Sequence, residues 1–203
     1  MRFLSTVLLL ALFSLPLQLQ AQDRPSSPRG EVSTQVGGSY DGGSYTGGSW
    51  VVVDYGRPIL RGRTDMFGTG AEYGKKLYAG APVWRAGANM STRFMTERDL
   101  KFGSSVLPAG EYSVFVEFEA GAWTLIFSNY KAKPSGGSKE EGQWGSYDYT
   151  PDMDVFRVKM QRSQAEMSVD QFTIAFLNMT QEGGNLAMTW DNELAVIAFT
   201  VSK

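Results

Sequence analysis

The residues able to do chemistry in this chain are carboxylates, arginines, lysines, tyrosines and hydroxyls, because its 203 residues include no histidine and no cysteine. That absence excludes a Ser-His-Asp triad, a histidine-ligated zinc, a cysteine nucleophile and any disulfide. What is left for catalysis is carboxylate chemistry. The stock is Glu117, Glu119, Asp148, Asp152, Asp154 and Asp191. Glycoside hydrolysis needs two acids roughly 5–10 Å apart, one of them with a raised pKa. On a regular strand Asp152 and Asp154 share a face, so Asp148, Asp152 and Asp154 are the candidate catalytic residues. The same spacing arises in any acidic turn, which keeps that signal weak. Calcium ligation by this trio is chemically allowed, but no Asp-x-Asp-x-Asp-Gly loop accompanies it. Neither a metal nor a cofactor is expected. No phosphate loop of the Gly-x-x-x-x-Gly-Lys-Ser/Thr type occurs and no Lys/Arg stripe runs along the chain, so nucleic acid is not an expected partner.

A second set of residues asks for explanation by its company. Tyr55-Gly56-Arg57-Pro58 is followed by Arg61-Gly62-Arg63. Trp84-Arg85-Ala86-Gly87-Ala88-Asn89 has Thr92 close behind. Leu107-Pro108-Ala109-Gly110-Glu111-Tyr112 reads as a turn entering a strand, and Trp144-Gly145-Ser146-Tyr147-Asp148-Tyr149 precedes Asp154 and Arg157. Two uses fit Tyr55, Arg57, Arg63, Trp84, Arg85, Asn89, Thr92, Trp144, Tyr147, Asp148, Asp154 and Arg157. In one, arginines clamp irregular loops to strand ends through carboxylates and backbone carbonyls. In the other, they line a cleft for an anionic or polyhydroxyl ligand, with Trp84 or Trp144 as a stacking platform. The structural use is preferred. It predicts Trp84 in the core and Arg85 largely buried, paired with Asp148 or Asp154.

These residues must be positioned by strands, because apolar positions alternate with a period of two. Tyr112, Val114, Val116 and Phe118 share a face, as do Trp123, Leu125 and Phe127. Phe156, Val158 and Met160 repeat the pattern, followed by Phe172, Ile174 and Phe176, then Leu186, Met188 and Trp190, and finally Ile197, Phe199 and Val201. Further strands are expected at 31–36 and 50–55. Each run is short, aromatic or β-branched, and bounded by turn residues. No stretch keeps an apolar period of 3.6, so long helices are not expected. The fold predicted is all-β, a single antiparallel sandwich of jelly-roll or Ig-like type with long Gly-rich loops.

Two of those loops stand out. Gly37-Gly38-Ser39-Tyr40, Gly42-Gly43-Ser44-Tyr45 and Gly47-Gly48-Ser49-Trp50 form a repeat of period five between two predicted strands. Three aromatics on such a tether would make an adaptable stacking surface for sugars or peptides. A flexible hairpin insertion over 37–50, kept from packing by its glycines, is the preferred reading. The Gly/Ser/Pro-rich stretch 131–143 reads as an exposed mobile loop.

Residues 1–21 read as an export signal: Arg2 gives a positive start, Phe3 to Leu17 an apolar run, and Ala21 a small residue at the cleavage point. Residues 22–203 then form one domain without a transmembrane segment, with a net charge of minus three once Arg2 is removed. The expected location is the periplasm or the exterior.

The motifs together resemble the bacterial family known as domain of unknown function 2911. The matching residues are Tyr55 to Pro58, Gly62-Arg63, Phe67-Gly68, Trp84 to Thr92, Pro108 to Tyr112, the Trp144 to Asp148 stretch, Asp154 with Arg157, and Trp190. The Gly-Gly-Ser repeat and the long loop from Gly70 to Pro82 depart from that pattern. The resemblance implies an exported, mostly β domain with no assigned activity. A non-catalytic module for a glycan, peptide or envelope component is the leading expectation, and a carboxylate-based hydrolase of a polysaccharide or cell-wall polymer is the alternative.

Overall fold

Alternation of buried and exposed side chains does set the architecture. The computed structural model describes residues 25–119 and 121–202, so the expected leader at 1–21 lies outside the described residues. The chain is all-β, with β1 (Arg29–Val36), β2 (Ser39–Asp41), β3 (Ser44–Thr46), β4 (Ser49–Gly56), β5 (Thr92–Thr96), β6 (Leu100–Phe102), β7 (Ser105–Leu107), β8 (Gly110–Glu119), β9 (Ala122–Ser128), β10 (Asp154–Leu177) and β11 (Gly183–Val201). A single helical turn, α1 (Lys75–Tyr78), interrupts the long excursion between β4 and β5. Nine strands form one antiparallel sheet in the order β1-β4-β5-β8-β9-β10-β11-β6-β7, while β2 and β3 pair with each other.

The strands at 154–160 and 172–176, expected to be separate, are the two ends of β10, which runs for 24 residues; those at 186–190 and 197–201 likewise merge into β11, 19 residues long. Polar residues from Gln161 to Asp170 remain extended because β11 supplies their hydrogen bonds, with register shifts on either side of Val169. β10 changes partner along its length, pairing with β9 over Asp154–Met160 and with β11 beyond Gln161. Past β4 the chain docks on the far half of β10, where Leu60 N donates to Asp170 O at 2.7 Å and Phe172 N to Pro58 O at 2.9 Å. The two halves of the sheet therefore face one another across the core.

That core is aromatic. Trp84, Trp123 and Trp190 are fully buried together with Phe94, Phe102, Phe127, Phe172 and Phe199. Side chains of β5 and β9 meet those of β6 across it, as in Phe94 against Phe102 and Phe102 against Phe127. β8 is buried on both faces, because a smaller cluster of Val83, Phe115, Ile126 and Tyr149 packs on its outer side. The segment after β9 supplies that cover, and the 131–143 loop is pinned at its base by Lys133 N donating to Gln143 O at 2.9 Å.

The repeat at 37–50 is a hairpin inserted between β1 and β4. It folds as the β2–β3 ribbon, with Asp41 opposite Ser44 and both Gly42 and Gly43 at positive φ. Two consecutive left-handed residues make the tight turn whose twist matches paired strands, and glycine adopts them without strain.

Candidate functional site

The two longest motifs lie face to face. A Cβ on Gly56 would sit 1.8 Å from Ala88 O, so only glycine lets these backbones meet, and Ala88 N donates to Gly56 O at 3.2 Å. Trp84 makes an isolated antiparallel bridge to Val116. Its ring enters the core as expected, and its indole N–H donates to Gly87 O at 3.0 Å. Ala86 and Asn89, both at positive φ, turn the chain back. Thr92, fully buried, closes the bend by donating to Ala86 O at 2.8 Å.

At this bend lies a crevice of about 230 Å³ whose walls include Arg63, Lys76, Trp84, Arg85, Asn89 and Trp190. Four of its residues, Arg63, Trp84, Arg85 and Asn89, belong to the set singled out from sequence. Three cations meet there and no carboxylate lines it. Arg63 donates to Leu60 O and Ile59 O and lies over the Trp190 ring at 5.9 Å. Lys76 pairs with Asp65 at 2.8 Å outside the crevice.

Arg85 is buried, with 9% of its surface exposed, as the sequence predicts. Its predicted partner is wrong. Asp148 is exposed, and Asp154 is bound to other groups; among the described residues no carboxylate lies within ion-pair distance of Arg85. The guanidinium instead donates to Asn89 O at 3.2 Å and rests 5.0 Å above the ring of Tyr147, itself 53% exposed. Asn89 reaches the opposite way, donating to Ser27 O at 3.2 Å. Ser91, passed over in the sequence, ties the bend to the Trp144 stretch by contacts to Gln143 O and Gly145 O.

Tyr55 and Arg57 of the set bond β10, and two other motif residues lie in turns and loops. The Tyr55 hydroxyl accepts from Ile174 N at 3.0 Å, and Arg57 donates to Phe172 O and Thr173 Oγ1, clamping β4 to β10. Tyr112 donates to Pro108 O at 2.9 Å and closes its own turn. Trp144 is half-buried against the 131–143 loop, beside Gly136.

The strand that was to align the candidate acids begins only at Asp154. Asp152 belongs to the short 3-10 turn Pro151–Met153 while Asp154 starts β10, so they share no strand face. Asp154 accepts from the Tyr149 hydroxyl at 2.8 Å and from Arg157 Nε at 2.7 Å, and Arg157 also holds Glu117 at 2.8 Å. Burial, then the hydrogen bond to Asp154, drives the Tyr149 pKa far upward, so its phenol stays protonated. Among the described residues no three acidic side chains group as a cation site, which removes the Asp148, Asp152, Asp154 calcium arrangement.

One site was not legible in the sequence. A cleft of about 780 Å³ is walled by Tyr73, Lys75, Tyr78, Phe118 and Arg162. Arg162 lies 4.5 Å over the Tyr73 ring and bonds Glu193 through Nε at 2.5 Å and Nη2 at 2.6 Å. Tyr73 in turn accepts from the Trp123 indole at 2.8 Å. Burial pushes its pKa up to about 12, the indole bond opposing and the Glu193 charge adding to it.

A tyrosine whose folded pKa exceeds its unfolded value contributes stability that is whole below pH 10 and is lost as pH rises through about 12. The urea midpoint of the wild type is therefore expected to fall from pH 10 upward, and that of Tyr73→Phe to fall less. Parallel curves for the two proteins would contradict the assignment.

The model of the family described as "Protein of unknown function (DUF2911)" matches residues 43–199, and the chain belongs to that family. No curated protein and no solved structure matched the chain.

Proposed function

We propose that this member of the DUF2911 family is an exported, non-catalytic module that binds an anionic group of an envelope component in the crevice of Arg63, Lys76 and Arg85. The observation that carries the reading is the state of Arg85. A guanidinium with this little exposure normally has a carboxylate partner, since an uncompensated buried charge costs several kcal/mol. Here an aromatic face and one carbonyl hold it, and its remaining N–H donors are available to a planar anion, carboxylate or phosphate, which guanidinium binds bidentately.

The other parts of the reading have their own support. The opposed halves of the sheet favour a sandwich of residues 22–203, within the jelly-roll or Ig-like class. The composition of residues 1–21 favours export to the periplasm or exterior. The carboxylates lining the depression beside Arg162, namely Asp65, Asp191 and Glu193, are bonded to Lys76, Ser168 and Arg162 respectively, which leaves no unpartnered acid there for hydrolysis.

Calorimetric titration of the mature chain with inorganic phosphate and with oligogalacturonate tests the proposal. Saturable binding that weakens with added salt is expected, together with an Arg85→Gln protein that melts within a few degrees of wild type and binds at least about ten-fold more weakly. Absence of binding to both probes would overturn the proposal. Turnover of a cell-wall polysaccharide abolished by substituting Asp148, Asp152 or Asp154 would establish the hydrolase instead.

A further inference from the structure

The Gly-Gly-Ser repeat places its three aromatics in one groove. Tyr40, Tyr45 and Trp50 line a depression of about 500 Å³ with Thr34, Gln35, Met179, Thr180 and Gln181. β1 and β4 form its floor, where Gln35 faces Trp50 across the strands. The β10–β11 connection forms a wall and is fixed to the end of β1 by Gly37 N donating to Gln181 O at 2.7 Å.

The ring positions are set by the fold. Trp50 is held through its backbone, its N–H donating to the Glu97 carboxylate at 2.7 Å and its carbonyl accepting from Glu97 N at 3.0 Å. The Tyr45 hydroxyl accepts from Gly38 N at 3.0 Å. A Cβ on Gly38 or Gly48 would come within 2.7 Å or 2.5 Å of the Tyr45 ring, so the repeated glycines make room for this tyrosine. Tyr40 packs edge-on against it, with centroids 5.2 Å apart. Even so, Tyr40 remains 73% exposed and Trp50 46% exposed. Large aromatics grouped on an ordered ribbon and the adjoining strand and left facing water are unusual unless something covers them.

We propose that this groove is a second binding site, for a neutral polysaccharide. The lining contains no charged side chain and combines aromatic faces with two carboxamides and two threonine hydroxyls. Aromatic faces suit the C–H surface of a pyranose ring, and amide and hydroxyl groups suit its hydroxyls. A charged polymer finds no counter-ion in the groove. The site lies at the start of β4 and the arginine crevice at its end, roughly 20 Å away at about 3.3 Å per residue, so the two stand or fall separately.

The test is calorimetric titration of the mature chain with cellohexaose, laminarihexaose and maltohexaose, and with an uncharged Gly/Ser/Thr hexapeptide. At least one hexaose is expected to bind saturably, with little dependence on salt, and the peptide is not. Tyr40→Ala and Trp50→Phe are each expected to weaken binding about ten-fold, while Arg85→Gln leaves it unchanged. Because Tyr40 is so exposed, its substitution tests the groove without risk to the fold. Failure of all three sugars to bind, binding of the peptide alone, or sugar affinity indifferent to Tyr40→Ala would each overturn the proposal.

Discussion

Replacing Trp84 by alanine is expected to lower stability by ~3–5 kcal/mol, the usual range for emptying a buried aromatic site. Its ring stacks on Phe118 at 5.7 Å, meets Phe172 edge-on at 4.9 Å and lies near Trp123 and Trp190. Truncation opens a cavity at the centre of this cluster. It also leaves Gly87 O without the indole N–H that satisfies it, adding to the cost. Against a total stability of ~5–15 kcal/mol, that is a large fraction of the whole, and the urea midpoint should fall accordingly. Urea denaturation at pH 7 measures the effect, and a loss below about 1.5 kcal/mol would show that the ring is dispensable. The arginine crevice would go with it, because the same ring forms one of its walls.

Arg162→Ala comes second, at about 3 kcal/mol. Removing one partner of a buried ion pair costs ~3–5 kcal/mol because the other charge is stranded, and Glu193 retains only 6% exposure. The lower end applies because the Arg162 side chain is 32% exposed. The substitution also uncovers the face of Tyr73. Lys75→Ala offers the comparison: its Glu72 partner is 73% exposed and should lose far less. The double replacement Arg162→Met with Glu193→Leu should recover much of the deficit, since it leaves no stranded charge. Equal losses for Arg162→Ala and Lys75→Ala would contradict the burial argument.

The periodicity that made strands legible in the sequence reports burial, and it worked where one face was covered. β8, β9 and the apolar ends of β10 and β11 were visible for that reason. The stretch Gln161 to Asp170 carries no apolar alternation, because its main chain is satisfied by β11 while its side chains stay wet. The joining of two predicted strands into β10 was therefore invisible, and with it the meeting of Arg162 with Glu193. β5, β6 and β7, of five, three and three residues, are too short to show a period.

For the site, residue type was informative and partner identity was not. Trp84 had to be buried by its size, and Arg85 followed it inward. Which group faced Arg85 depended on the bend at Ala86 and Asn89 and on the path of the Trp144 stretch, neither of which has a local signature. The glycine repeat was legible as a hairpin but not in the packing of its rings. Glycine lowers the order of an isolated ribbon, but here the neighbouring Tyr45 ring occupies the space its missing side chains leave.

The most direct measurement is a ¹⁵N NMR titration of the mature protein with oligogalacturonate, following protein and ligand signals together. Binding in the crevice predicts the largest shifts at the backbone amides of Arg85, Gly87, Ala88 and Asn89 and at the Trp84 and Trp190 indole N–H groups. Groups lining the Tyr40–Trp50 groove should not move, and the ligand spectrum should be unchanged after a day. Shifts confined to other surfaces would contradict the site, and new reducing-end signals appearing over time would contradict a non-catalytic role.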